Sequence, residues 1–257
     1  METNSRKVLD HGKVTLIDHM GDDYRILESA RISTGAEPTK GEVKDRGLIR
    51  YLYKNKHLTP FEQVVTTWRI KAPLFVIQQL LRHRTTSVNQ MSSRYTSLPV
   101  EYYVPESFRV QSVTNHQGSG ENVSEGVHHT ALHMYKEAID NCFDRYDFFT
   151  GLDISKEQSR MVLPVSQYSE LYMTVNLRNL FHFLELRLHS HAQYETRVYA
   201  EVMMDILSHI EGLRWSIEVF DEFRKLSEAY QDAINRAGKD TSRLLKLLNT
   251  YDENEKT

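Results

Sequence analysis

Cysteine is all but missing: Cys142 is the single one in 257 residues. That excludes an intrachain disulfide framework and fits a reducing cytoplasm. Long apolar runs are missing too. Nothing approaches the about 20 consecutive apolar residues of a membrane span, and the first residues lack the apolar core of a signal peptide. Neither charge sign dominates. The formal net charge of -3 gives no global field to draw the chain to nucleic acid, so any positive potential must be local. There is no G-x-G-x-x-G after a strand and no G-x4-G-K-[ST], which leaves Rossmann and P-loop nucleotide binding unsupported. His129 and His133 share a helical spacing and His189 and His191 form a pair. Neither pair has the Glu of an H-E-x-x-H or a Cys partner, so no metal site is expected.

What remains is ordinary for a globular protein, 40% hydrophobic and 26% charged, and long enough for a sizeable core. There are no repeats. Residues 1–12 are polar and read as loose. Residues 14–20 predict a strand, 22–33 a helix stopped by Ser33-Thr34-Gly35, and 43–56 a helix with Leu48, Ile49, Leu52 and Tyr53 on one stripe. Thr59 before Pro60 reads as an N-cap, with Pro at the first helical position. Residues 64–70, 100–104 and 168–177 predict strands. Pro73 opens a helix through Leu81. Residues 108–126, with Gly118-Ser119-Gly120 inside, read as a long loop. Helices are expected over 127–149, over 155–161 with Ser155 as its cap, over 179–187 and over 192–219. Beyond Asp221 come another helix, a break at Gly238, an amphipathic piece at 244–248 and an acidic tail. The fold class is α+β, with strands too scattered for a doubly wound sheet.

The densest chemistry lies at Arg82-His83-Arg84-Thr85-Thr86-Ser87-Val88-Asn89-Gln90-Met91-Ser92-Ser93-Arg94-Tyr95, behind the apolar run Leu74-Phe75-Val76-Ile77. Arginine forks, hydroxyls and loop N–H groups make a phosphate cradle. Alone, such a stretch equally describes a solvated basic loop, or a module that grips nucleic-acid phosphates with Tyr95, Tyr102 and Tyr103 to stack bases. Similarly, Arg160 and Arg187 read as surface ion-pair partners, His182 as a core histidine, and Asn176 and Arg178 as the end of a strand.

The spacing R-H-R-x2-S-x-N-x2-S-x-R-Y resembles the signature of the flavin-dependent thymidylate synthases. Further elements resemble that family in the same order: His57-x-Thr59-Pro60-Phe61-Glu62, Arg160-Met161-Val162-Leu163-Pro164, Asn176-Leu177-Arg178, Leu186-Arg187, and Ser190-His191-Ala192-Gln193-x-Glu195. The resemblance covers about residues 14–215. It implies one domain with a mostly antiparallel sheet flanked by helices, a C-terminal helical extension over about 219–257, and a homotetramer with FAD at subunit interfaces.

It also implies an activity, the reductive methylation of dUMP to dTMP. Methylenetetrahydrofolate gives the carbon and NADPH reduces the flavin. By resemblance, dUMP meets Gln79, Leu80, Leu81, Arg82, Gln90, Met91, Ser92, Ser93, Arg94, Arg160 and Arg187, with Ser92 and Arg94 at its phosphate. Arg187 is the catalytic candidate, beside the uracil ring. FAD meets Thr59, Arg82, His83, Arg84, Gln90, Asn176, Leu177, Arg178 and His182; Ser33 is a further flavin candidate, and His57 and Tyr95 lie near the folate. Gln90 stands where the family usually has Glu, keeping the length and an acceptor oxygen but not the charge. Cys142, flanked by Asp140 and Asp144, reads as a packing residue, and no cysteine nucleophile is expected. Residues 111–126 and those beyond 218 match nothing in the family pattern.

Overall fold

The computed structural model describes residues 4–37, 39–95, 100–113 and 118–237. In chain order the elements are β1 (Ser5–Val8), β2 (Gly12–Met20), α1 (Asp23–Ile32), α2 (Glu42–Lys54), β3 (Val65–Pro73), α3 (Leu74–Leu80), β4 (Ser87–Gln90), β5 (Arg109–Gln111) and β6 (Ser119–Asn122). There follow α4 (Glu125–Gly151), α5 (Lys156–Ser159), β7 (Tyr168–Asn176), α6 (Leu177–Leu188), α7 (Tyr194–Ser208) and α8 (Arg214–Ala237). Five strands form one sheet in the order β1-β2-β3-β7-β4, every pair antiparallel. The expected α+β class with an antiparallel sheet is therefore what forms.

The alternation along β3 and β7 sets the layers. Thr66, Trp68, Ile70 and Ala72 of β3 and Leu171, Met173 and Val175 of β7 are buried on one face, under α3, α6 and α7. Burial of Ile70, Leu171, Met173 and Val175 stabilises the fold by about 1.5–3 kcal/mol each. The opposite face keeps Arg69 and Tyr172 exposed. Trp68 places its indole N–H 2.9 Å from Thr66 Oγ1, so the largest core side chain leaves no orphan donor. Tyr199 of α7 donates to the Lys71 carbonyl at 2.8 Å, tying that helix to the sheet.

Several elements differ from the sequence expectation. Residues 5–8 are not loose but pair with β2. The middle of the Arg82–Tyr95 stretch is not a loop: Ser87–Gln90 adds an edge strand to β7. Residues 100–104 form only a single bridge, Tyr102 to Gln167, while residues 109–122 carry the β5–β6 hairpin. Thr59 is the first residue of a 3-10 turn, Thr59–Gln63, and neither it nor Ser155 makes a side-chain cap. The helix expected over 192–219 breaks at His209-Ile210, and α8 begins at Arg214. That break is built by Asp23, whose carboxylate accepts from Trp215 N at 2.7 Å and Ser216 N at 3.1 Å. The break at Gly238, the piece at 244–248 and the tail lie outside the described residues. No described helix is long and apolar enough to cross a membrane.

Candidate active site

Two groups of side chains gather at the helix-covered face. The first stands where α3 and α6 end side by side. α6 starts cleanly because Asn176, closing β7, accepts from Asn179 N at 3.0 Å. Its buried stripe is Leu177, Leu180, Phe181, Phe183 and Leu184. Arg178, His182 and Arg187 are left off that stripe. Arg187, in the last turn, donates from Nε to His83 Nε2 at 3.1 Å and from Nη2 to the Gln79 carbonyl at 3.3 Å. Both acceptors come from α3 and the turn after it. A Thr86 N–H and hydroxyl on the His83 carbonyl, at 3.3 and 2.8 Å, fix that turn.

His83 is held neutral. Burial, the Arg187 guanidinium and His182 together push its pKa down to about 4. A neutral ring offers Nε2 as an acceptor, which is what Arg187 requires. Its edge rests on Phe183 at 4.9 Å between ring centroids. Partial burial lowers the pKa of Arg187 without threatening its charge. The guanidinium is thus aimed by two neutral acceptors and has no carboxylate partner among the described residues.

Arg82 and Arg84 are exposed and have no acidic partner among the described residues. Thr59 and His182 are exposed, and Arg178 pairs with Glu62 of the 59–63 turn. This first group therefore joins Gln79, His83, His182 and Arg187, with Arg82 and Arg84 beside His83 in the chain, while Arg178 stands in the first turn of α6, at its other end. Leu80 and Leu177 sit in the core at 2% and 0% exposure, so only their backbone atoms could meet a ligand.

The second group lies where β4 runs out. Gln90 pairs with Leu171 and donates from Nε2 to Ser169 Oγ at 3.4 Å. Met91 N bonds the Glu170 carbonyl at 2.8 Å. Beyond them Ser92 and Ser93 turn toward Arg160, whose Nη1 donates to Ser93 Oγ at 3.3 Å. Gln90, Met91, Ser92, Ser93 and Arg160 line a cavity of about 460 Å³. Arg94 reaches out to Glu157 at 2.5 Å. Gln90 belongs here, not with the first group. The cavity mixes hydroxyls with one guanidinium, a donor set suited to a phosphate.

Arg187 has no ion pair among the described residues, His182 is exposed and not a core histidine, and Asn176 does end its strand. Ser33 is exposed and bonds only its own helix, at the Ala30 carbonyl. Two residues without an expected role, Gln193 and Glu195, join the first group, since Gln79 donates its amide to Gln193. Their place in the Ser190–Glu195 element was the only signal for them.

The family described as thymidylate synthase complementing protein matches residues 15–211. The flavin-dependent thymidylate synthase of Ruegeria pomeroyi is 41% identical over 239 residues, covering 89% of this chain and 78% of the relative. That of Treponema denticola is 39% identical over 267 aligned positions, covering 98% and 97%. Among solved structures, the UMP/dUMP methylase PolB of Streptomyces cacaoi bound with 5-Br dUMP superposes with a TM-score of 0.75 at 32% identity, over 84% of this chain and 97% of that one.

Proposed function

The chain belongs to the flavin-dependent thymidylate synthases, enzymes that methylate, and from that membership we propose how its two side-chain groups divide the work. The reaction is the reductive methylation of dUMP to dTMP, with methylenetetrahydrofolate as carbon donor and NADPH as reductant. The observation that carries this reading is Arg187, a charged guanidinium with a neutral histidine and a carbonyl as its only hydrogen-bond partners among the described residues. Held beside a uracil ring, it donates to the ring oxygens and favours the ionised form of N3, because a cation stabilises the charge of a neighbouring acid. Arg160, Ser92, Ser93 and Arg94 suit the 5′-phosphate. The solved relative bound with 5-Br dUMP supports a nucleotide of this class.

FAD fits the donor set of the first group. Arg82 and Arg84 have charge to spare for a pyrophosphate, His182 stands beside them against His83, and family membership adds Thr59 and Arg178. When bound, the flavin supplies the reducing equivalents; the protein binds, orients and excludes water. Cys142 lies mid-way along α4 and takes no part. In this reading a second subunit completes each site, the uracil group of one chain meeting the phosphate group of another within a homotetramer.

The test uses two variants from opposite groups. Arg187→Ala and Arg160→Ala should each fold, and Arg187→Ala should still take up FAD while losing turnover by about 10²–10³-fold. Co-expressed in one oligomer, the two should regain part of that turnover, since some sites then draw both intact groups. An active Arg187→Ala protein would remove its role, and a co-expressed pair as dead as its parents would place both groups in one subunit's site.

A further inference from the structure

Glu195 is buried in α7 and surrounded by donors. Arg109 of β5 pairs with Oε1, Tyr103 donates its hydroxyl to the same oxygen at 3.4 Å, and Gln193 donates from Nε2 to Oε2 at 3.0 Å. Gln193 in turn accepts from Gln79 Nε2. Arg109 is itself clamped, by Ser119 of β6 at 2.7 Å from its Nε and by the face of Tyr194 at 4.9 Å. One unbroken line of contacts thus runs from the β5–β6 hairpin to Gln79, whose carbonyl takes the Arg187 guanidinium.

The line has a direction. An ionised carboxylate only accepts hydrogen bonds. Beside it, Gln193 must turn its NH2 toward Glu195 and its oxygen toward Gln79. Gln79 must then spend its NH2 on Gln193, and its Oε1, with no hydrogen-bond partner among the described residues, is left as a pure acceptor. Without the charge, both amides are free to turn over, and Gln79 can present either a donor or an acceptor.

We propose that Glu195, fixed by Arg109, is a positioning residue for the nucleotide: acting through Gln193, it locks the Gln79 amide so that its oxygen accepts from an N–H or O–H of the substrate. This rests on the reading of Gln79 as a dUMP contact. It also gives Arg109 and the β5–β6 hairpin a role in binding.

The test is steady-state kinetics of the full-length, FAD-loaded enzyme with dUMP varied. Glu195→Gln should raise KM for dUMP about tenfold, with kcat within about threefold and flavin content unchanged. Gln193→Ala, at an exposed position, should do the same with a smaller burden on folding than a change at Glu195. Arg109→Ala should follow Glu195→Gln, and Arg109→Lys should recover most of the loss. The decisive variant is Glu195→Gln combined with Gln79→Ala. Acting through one amide, the pair should bind dUMP no worse than Gln79→Ala alone. If the two KM effects multiply, or if Glu195→Gln and Gln193→Ala keep the parental KM while Gln79→Ala does not, the relay is wrong and the dUMP contact stands. If Gln79→Ala itself keeps the parental KM, the contact fails and the relay with it.

Discussion

Arg187 can point into a site because its neighbour His83 carries no charge. Its depressed pKa, about 4 against an ordinary 6.5, means the fold prefers neutral imidazole. The sign follows directly. A group whose pKa is lowered on folding stabilises the fold above its unfolded value and loses that contribution as pH falls from about 6.5 through about 4. His83→Phe keeps the ring edge against Phe183 but cannot titrate. The stability gap between the parent and His83→Phe should therefore shrink as pH falls through that window, read from urea midpoints at pH 7 and pH 4.5. Parallel pH curves would mean that His83 is not held neutral. The histidine could be found in the sequence, within Arg82-His83-Arg84, but its charge state could not: that depends on Phe183, His182 and Arg187, a hundred residues away in the chain.

At the level of elements, the close approach of α7 to the sheet depends on the lack of a side chain at Gly12. A Cβ there would lie 2.1 Å from the Tyr199 hydroxyl oxygen and 2.4 Å from the Val8 carbonyl. Gly12→Ala should therefore displace Tyr199 from the Lys71 carbonyl, cost about 1–3 kcal/mol and lower Tm by roughly 5 °C. An unchanged Tm in a scanning melt would deny that contact. Strands β3 and β7 were legible because period-two alternation and β-branched residues mark them. β4 was not, since Ser87-Val88-Asn89-Gln90 has the composition of a loop and becomes a strand only by pairing with β7, eighty residues on. The break before α8 was hidden because apolar spacing continues through Ile206, Ile210 and Leu213; its cause is Asp23, remote in sequence. The β5–β6 hairpin has strands of only three and four residues, too short for a periodic signal.

Taken whole, the molecule offers a sheet with one face under helices and two side-chain clusters at the ends of α3 and β4. The candidate residues of both clusters could be named from the sequence, because the spacing from Arg82 to Tyr95 and the elements around Arg160 and Arg187 are recognisable strings. Their division into two clusters was not legible, since a string does not show which residues the fold brings together. The central claim is that these clusters hold a flavin and dUMP for a reductive methylation. The most direct measurement is the visible spectrum of the purified protein, before and after anaerobic NADPH, with and without dUMP. A flavin spectrum that bleaches with NADPH, and faster when dUMP is present, is the expected result. A colourless protein that takes up no added FAD would contradict the account and leave the Arg82–Tyr95 stretch holding some other phosphate.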